Sequence, residues 1–163
     1  MSYFDLGAYS RPVTTSSAEA QTWFDRGLNW TYGYNQEEGV ACFRKALEHD
    51  PHCAMAWWGI AFANGPFYNR PWIRFTRPEV EETLSACHEA ASRAVALITS
   101  RAFEVLALRK LTAGVYHWNR ASMRVLEKNG YHLERVETHA FVHFGEWVDQ
   151  HHYALRCPAR RPG

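Results

Sequence analysis

The amino-acid sequence predicts an α+β chain made of antiparallel helices, a long connecting helix and a small β-α-β-β unit. Apolar residues recur at steps of three and four through the first 64 residues, which indicates amphipathic helices. From Pro78 a helical pattern runs on without further proline or glycine, and later runs have the alternating character of strands. We therefore expect a helical part over 1–97, a β-containing part over 98–157 and a disordered tail over 158–163.

Composition and charge restrict the function classes. The 163 residues are 47% hydrophobic and 21% charged with a net charge of +1, which fits a globular protein and is too weakly basic for a nucleic-acid binder. No segment reaches the roughly 18 apolar residues of a membrane span. The four cysteines show no CxxC spacing, so reduced structural thiols are expected. These features predict a cytoplasmic protein without nucleic-acid or membrane partners.

Four helices are predicted in the first two thirds of the chain. The first covers 17–33 with Ser16 or Ser17 as N-cap, and the second covers 36–49 and stops before Pro51. The third is expected over 53–64. After a loop with three prolines and four aromatic residues, the fourth is expected over 79–108 because proline and glutamate occupy its start. That loop should pack through its aromatic side chains, Phe67, Tyr68, Trp72 and Phe75.

The first two helices resemble a tetratricopeptide repeat. The residues at that family's fixed offsets are Trp23, Gly27, Trp30, Gly39, Phe43, Ala46 and Pro51. The pattern restarts one repeat later with Ala54, Trp57, Ile60 and Ala61. Glycines allow two helix backbones to approach, and large aromatic residues fill the space around them. The resemblance implies a protein or peptide partner for this part of the chain.

The last part is predicted to be a strand, a helix and a β-hairpin. The strand covers 111–117, and Asn119 and Gly130 bracket a helix over 119–129. Two alternating runs then turn at Gly145, so a three-stranded sheet with the helix on one face is expected. The expected contacts across its core are Val115, Tyr116, Val125, Leu126, Phe141 and Val148.

Histidines are concentrated in the hairpin. His139 and His143 alternate with Phe141, so both should project from one face of a strand, with His151 and His152 on the facing strand. Neither a carboxylate pair nor a cysteine stands at ligand spacing beside them. Cross-strand polar pairs are therefore favoured over a metal site, and no metal is expected.

Residues 94–156 resemble the C-terminal half of the GNAT superfamily of N-acetyltransferases, in the branch that acetylates ribosomal-protein N-termini and related amines. The matching residues are Ala102, Phe103, Leu108 to Leu111, Asn119, Ala121, Ser122, Val125 to Lys128, Gly130, Tyr131, Gly145, Asp149, Tyr153 and Leu155. The resemblance implies acetyl-CoA as cofactor, with Asn119 and Ser122 against its pantetheine arm. It assigns no catalytic residue, because Leu126 stands where many members carry a tyrosine that protonates the thiolate.

The pyrophosphate loop of that family is absent from the expected place. Its R/Q-x-x-G-x-G/A pattern should fall near 84–90, which read LSACHEA, and no glycine occurs between Pro66 and Ala113. Glycine matters there because backbone N–H groups must approach the phosphates closely. The cofactor site is thus expected to be half complete.

Three interpretations follow. The main one is a fusion of a repeat-like segment with an incomplete acetyltransferase fold that lacks efficient catalysis. The second is a protein-binding repeat module that uses the acetyltransferase remnant as a cap. The third is an acetyl-CoA-dependent N-acetyltransferase acting on an amine or a protein N-terminus.

Overall fold

The computed structural model describes residues 3–65, 67 and 70–158. Contacts divide the chain into two compact units, Met1–Leu97 and Ile98–Gly163. The predicted α+β class is confirmed: helices precede a small antiparallel sheet. Among the described residues, no helix has the length and apolar character needed to cross a membrane. Residues 159–163 of the predicted disordered tail lie outside the described part.

Among its described residues, the first unit contains three complete α-helices, a 3₁₀ helix (Trp72–Arg74) and most of a fourth α-helix. The α-helices are α1 (Ala18–Tyr32), α2 (Gln36–His49), α3 (Ala54–Ala63) and α4 (Arg77–Glu104). The starts of α1 and α2 match the prediction because local side chains cap them. The Ser17 hydroxyl accepts a hydrogen bond from the Ala20 N–H, and the Asn35 side chain accepts one from the Glu38 N–H.

The core of the first unit is built around the ring of Phe43, which is fully buried. Gly27 of α1 and Gly59 of α3 both lie against this ring. A Cβ added to Gly27 would be 2.5 Å from a ring atom, and one added to Gly59 would be 2.7 Å from it. The expected close approach of the α1 and α2 backbones is observed at Gly39, where an added Cβ would lie 3.2 Å from the Gly27 carbonyl oxygen. The ring of Trp23 is only partly buried and lies beneath the cations of Arg26 and Lys45, at 4.4 and 4.8 Å.

The loop before α4 is held by aromatic and charged contacts. Trp72 and Phe75 pack with ring centroids 5.0 Å apart, and the Arg70 guanidinium lies 4.2 Å from the Phe75 ring centroid. Arg70 also pairs with Glu79 at 2.6 Å. The predicted packing is thus observed for Phe67, Trp72 and Phe75, while Tyr68 lies outside the described residues.

The second unit forms a three-stranded antiparallel sheet, as predicted, and the strand order is β1-β3-β2. Its strands are β1 (Lys110–Tyr116), β2 (His132–His143) and β3 (Glu146–Arg156). The helix α5 (Arg120–Lys128) joins β1 to β2. The hairpin turns at Phe144 and Gly145, whose φ angles of 49° and 84° are those of a type I′ turn.

Three expectations for this part of the chain were wrong. First, α4 ends at Glu104 and not at 108, because the Val105 and Leu106 N–H groups both bond the Arg101 carbonyl and Ala107 adopts a φ of 53°. A left-handed residue ends a helix, and periodicity does not reveal it. Second, Tyr116 is 42% exposed, whereas Val115, Val125, Leu126 and Val148 are buried. The expected contact of Tyr116 with Phe141 is nevertheless observed, with ring centroids 5.0 Å apart.

The third correction concerns the hairpin histidines. A bulge between Glu137 and Phe141 adds residues to β2, and His139 within it has a φ of 53°. The His139 ring contacts Trp147, whereas the His143 ring contacts Tyr116. The two histidines therefore do not share a face, since the bulge breaks the alternation on which the prediction rested.

Candidate functional site

The site predicted for pantetheine lies at the start of α5, directly after β1. The Asn119 N–H donates to the Tyr116 carbonyl at 2.9 Å, which turns the chain out of the strand. The Asn119 side-chain oxygen then accepts a hydrogen bond from the Ser122 N–H at 3.1 Å and caps the helix. Both residues are partly exposed. The structure thus brings Asn119 and Ser122 together on one turn. Among the described residues, the Asn119 amide NH₂ has no hydrogen-bond partner and remains a donor.

The strand β1 supplies a second part of the site. It pairs with β3 along one side, and across residues 3–65, 67 and 70–158 no strand pairs with its other side. Backbone N–H and C=O groups on that side are available to a polar ligand. Gly114, in the middle of β1, is exposed and leaves the strand without a side chain at that point.

No proton donor stands at the family's usual position. Leu126 occupies it and is 8% exposed, as a core residue of α5. Two nearby hydroxyl groups are engaged elsewhere: Tyr131 bonds Thr99 at 2.9 Å, and Tyr153 donates to Glu127 at 2.9 Å. Burial and the hydrogen bond to Glu127 raise the pKa of Tyr153, so it stays protonated.

The contact between Tyr153 and Glu127 was not foreseen from the sequence. Both residues belong to the motif that resembles the acetyltransferases, yet 26 positions separate them. Only the sheet register and the placement of α5 bring them together. The motif match was the one available signal, and it carries no information about contacts.

The segment expected to hold the pyrophosphate is helical throughout. Residues 84–90 lie inside the 28-residue helix α4, and Ala90 is 1% exposed. Backbone N–H groups inside a helix already bond carbonyls four residues earlier, so they cannot bind a phosphate. The predicted absence of a glycine-rich loop is therefore matched by the absence of a helix start at 84–90.

The hairpin histidines form local pairs. His152 lies 2.9 Å from Glu137 through its Nε2 atom, and Glu137 also pairs with Arg135 at 3.1 Å. Within the part of the chain that the structure describes, no three His, Cys, Asp or Glu side chains are grouped for a metal ion.

Comparisons with known proteins identify relatives for part of the chain. No protein-family model matches. The probable N-acetyltransferase YjcK of Bacillus subtilis (strain 168) is 39% identical over 67 residues, which are 41% of this chain and 37% of that protein. A solved GNAT-family acetyltransferase of Bacillus anthracis is 30% identical over 41% of this chain and 40% of that chain, with a TM-score of 0.40.

The C-terminal portion of the chain is therefore similar to an N-acetyltransferase. The chain spans a little over a third of the length of the curated relative it matches. This similarity favours the acetyltransferase interpretation over that of a fusion without catalysis. The repeat resemblance of the first unit stays a prediction.

Proposed function

We propose that the second unit provides the pantetheine-binding part of an acetyl-CoA-dependent N-acetyltransferase whose acceptor is an amine or a protein N-terminus. The observation that carries this proposal is the pairing of Asn119 and Ser122 on the first turn of α5, next to an unpaired edge of β1. The similarity of this portion to an N-acetyltransferase supports it.

The donor groups of this unit fit the pantetheine arm of acetyl-CoA. Pantetheine contains two amide groups, and an unpaired strand edge offers N–H donors and C=O acceptors that match them. The Asn119 amide NH₂ and the Ser122 hydroxyl supply two further polar groups beside that edge. When bound, acetyl-CoA would supply the activated acetyl group, and these residues would hold and orient its arm.

The same chain does not fit the pyrophosphate. The segment 84–90 offers no glycine and no free N–H groups, because α4 continues through it. Charge-assisted hydrogen bonds contribute about 1.5–3 kcal/mol each, so the loss of several leaves mainly pantetheine contacts. We therefore expect binding of acetyl-CoA in the millimolar range, far weaker than a complete enzyme of this family would show.

Titration calorimetry with acetyl-CoA and with S-acetylpantetheine tests both statements. The expected result is weak binding of both ligands with similar affinity, because neither gains from a phosphate site. Asn119→Ser preserves the cap but removes the amide NH₂, so it should weaken the binding of both ligands as Asn119→Ala does. Loss of binding in Asn119→Ala alone would assign the effect to helix stability. A micromolar complex with acetyl-CoA alone would show that a phosphate site exists. Failure of both ligands to bind would contradict the pantetheine site and support the inactive fusion.

A second function is proposed for the first unit, which we infer to bind a protein or peptide. A cavity of about 490 Å³ opens between α2, α3 and α4, with Leu47, Trp57 and Ile60 forming an apolar wall and Arg44 and Glu48 beside it. An apolar wall with charged groups at its border suits an amphipathic peptide.

Selection from a random peptide library displayed on phage tests this second function. Selected peptides should lose binding to a Leu47→Asp variant. They should retain binding to Leu84→Asp, which changes a leucine that is 53% exposed and outside the cavity. Peptides insensitive to Leu47→Asp would reject this cavity as the site.

A further inference from the structure

A second cavity lies within the second unit, between α5 and the hairpin. It has a volume of about 430 Å³. Arg120 and Arg124, one helical turn apart on α5, contribute to its wall, and His151 of β3 contributes from the sheet. Its size falls in the range of small-molecule sites. Neither the pantetheine contacts of Asn119 and Ser122 nor any other part of the proposed function uses this cavity.

Among the described residues, the two arginines of the cavity are not neutralised by ion pairs, unlike Lys110 and Arg156 of the same unit. Lys110 forms a salt bridge with Glu134, and Arg156 lies 3.5 Å from the same carboxylate. Neither Arg120 nor Arg124 forms an ion pair or a side-chain hydrogen bond within residues 3–65, 67 and 70–158. Two guanidinium groups on one helix face repel each other, and an anion bridging them removes that repulsion.

One carboxylate also lines the cavity, but it is already hydrogen-bonded. Glu127 accepts the hydroxyl hydrogen of Tyr153 at 2.9 Å, and Tyr153 is 4% exposed. The described wall therefore carries two cationic groups against one anionic group, even with His151 neutral. The remaining positive charge selects for an anion.

The rest of the wall is apolar. Met123 is 4% exposed and Leu133 is 46% exposed, and both line the cavity. An inorganic anion alone would leave this apolar wall uncovered, whereas an organic group attached to it would bury Leu133 further. Guanidinium groups bind phosphate oxygens through paired N–H donors, and a dianion suits two of them.

We propose that this cavity binds a small phosphate monoester, with the phosphate between Arg120 and Arg124 and the organic group against Met123 and Leu133. The probes are phenyl phosphate, inorganic phosphate and benzoate, added to the full chain and followed by calorimetry and by NMR. Phenyl phosphate is expected to bind most tightly, and its addition should shift the signals of the Met123 methyl group and the His151 ring.

Two double variants test the role of the arginines, and each removes two positive charges, one pair inside the cavity and the other pair outside it. The double variant Arg120→Gln, Arg124→Gln should bind phenyl phosphate about tenfold more weakly or worse. The double variant Arg101→Gln, Arg109→Gln removes two exposed arginines of the same unit and should change the affinity less than about twofold. Equal loss in both variants would mean that only general surface charge attracts the probe, and would overturn the proposal.

Two further results decide the details. Leu133→Ser should abolish the preference for phenyl phosphate over inorganic phosphate, and a retained preference would refute the apolar part of the site. Tighter binding of benzoate than of phenyl phosphate would show that the cavity prefers a carboxylate to a phosphate, and would overturn the proposal. Should the double arginine variant fail to fold, absence of NMR shifts at Met123 and His151 in the unaltered chain would equally reject the site. None of the probes contains pantetheine, so this outcome is independent of acetyl-CoA binding.

Discussion

The ring of Phe43 lies so close to Gly27 that a Cβ on this glycine would be 2.5 Å from the ring. The contact joins the middle of α1 to the middle of α2. The ring has no room to move away, because Gly59 of α3 lies against it as well and Phe43 is fully buried. The packing of three helices thus depends on the absence of a methyl group at two positions.

Gly27→Ala is expected to destabilise the first unit by about 1–3 kcal/mol, as overpacked cores do. Alanine stabilises a helix by up to about 1 kcal/mol relative to glycine. A loss of stability in Gly27→Ala therefore reports the clash with Phe43, and a gain reports helix propensity. Urea unfolding measures the change. Gly65→Ala is the control, because its added Cβ would have only the Phe62 carbonyl oxygen nearby, at 3.9 Å. A stabilised Gly27→Ala variant would contradict the packing.

Asn119→Ala should lower the free energy of unfolding of the second unit by about 1 kcal/mol, since it removes the bond from the Ser122 N–H. Asn119→Ser should retain most of that stability, because serine also caps helices well. Because the chain has seven tryptophans, denaturant unfolding is followed by the NMR signal of the indole N–H of Trp118, the preceding residue. Equal stability of the alanine and serine variants would show that the cap contributes nothing.

The stability of the folded chain is expected to depend on pH through the carboxylate of Glu79. Hydrogen bonds from the Thr76 N–H and hydroxyl, then from Arg70, lower the pKa of Glu79 from 4.5 to about 2. A lowered pKa in the folded chain means that the stabilisation is complete above pH 4.5 and is lost as the pH falls towards 2. Glu79→Gln should therefore be less stable than the unaltered chain at pH 6, and the difference should vanish near pH 2.

Thermal unfolding at several pH values measures this difference. Glu82→Gln serves as the control, since Glu82 lies on the same helix and its carboxylate forms no hydrogen bond or ion pair with any residue that the structure describes. A difference between Glu79→Gln and the unaltered chain that stays constant from pH 6 to pH 2 would contradict the lowered pKa.

Hydrogen exchange provides a direct test of the continuous helix α4. The backbone N–H groups of 84–97 should exchange slowly, because each is bonded within the helix and the segment packs through Ala90 and Ala94. Residues 105–108, after the helix, should exchange faster. Added acetyl-CoA should leave 84–90 unchanged. Fast exchange at 84–90 would contradict the continuous helix. New protection of 84–90 on addition of acetyl-CoA would show that this segment binds the cofactor.

Features fixed by neighbouring residues were predictable from the sequence. The Ser17 cap, the end of α2 before Pro51 and the turn at Gly145 each depend on a few consecutive residues. The pairing of Asn119 with Ser122 belongs to the same class, since a cap joins residues three positions apart. Local chemistry therefore predicted the cap, whereas the pantetheine role of these two residues came only from the resemblance to the acetyltransferases and stays a prediction.

The sequence by itself determined the order of helices and strands, because hydrophobic periodicity and turn residues act over short distances. Only the tertiary structure decided the bulge at His139, the exposure of Tyr116 and the bond between Tyr153 and Glu127. Each of these depends on how strands are registered and which side chains meet across the sheet. Such contacts join residues far apart in the chain, and their geometry is set by the packing of the whole unit.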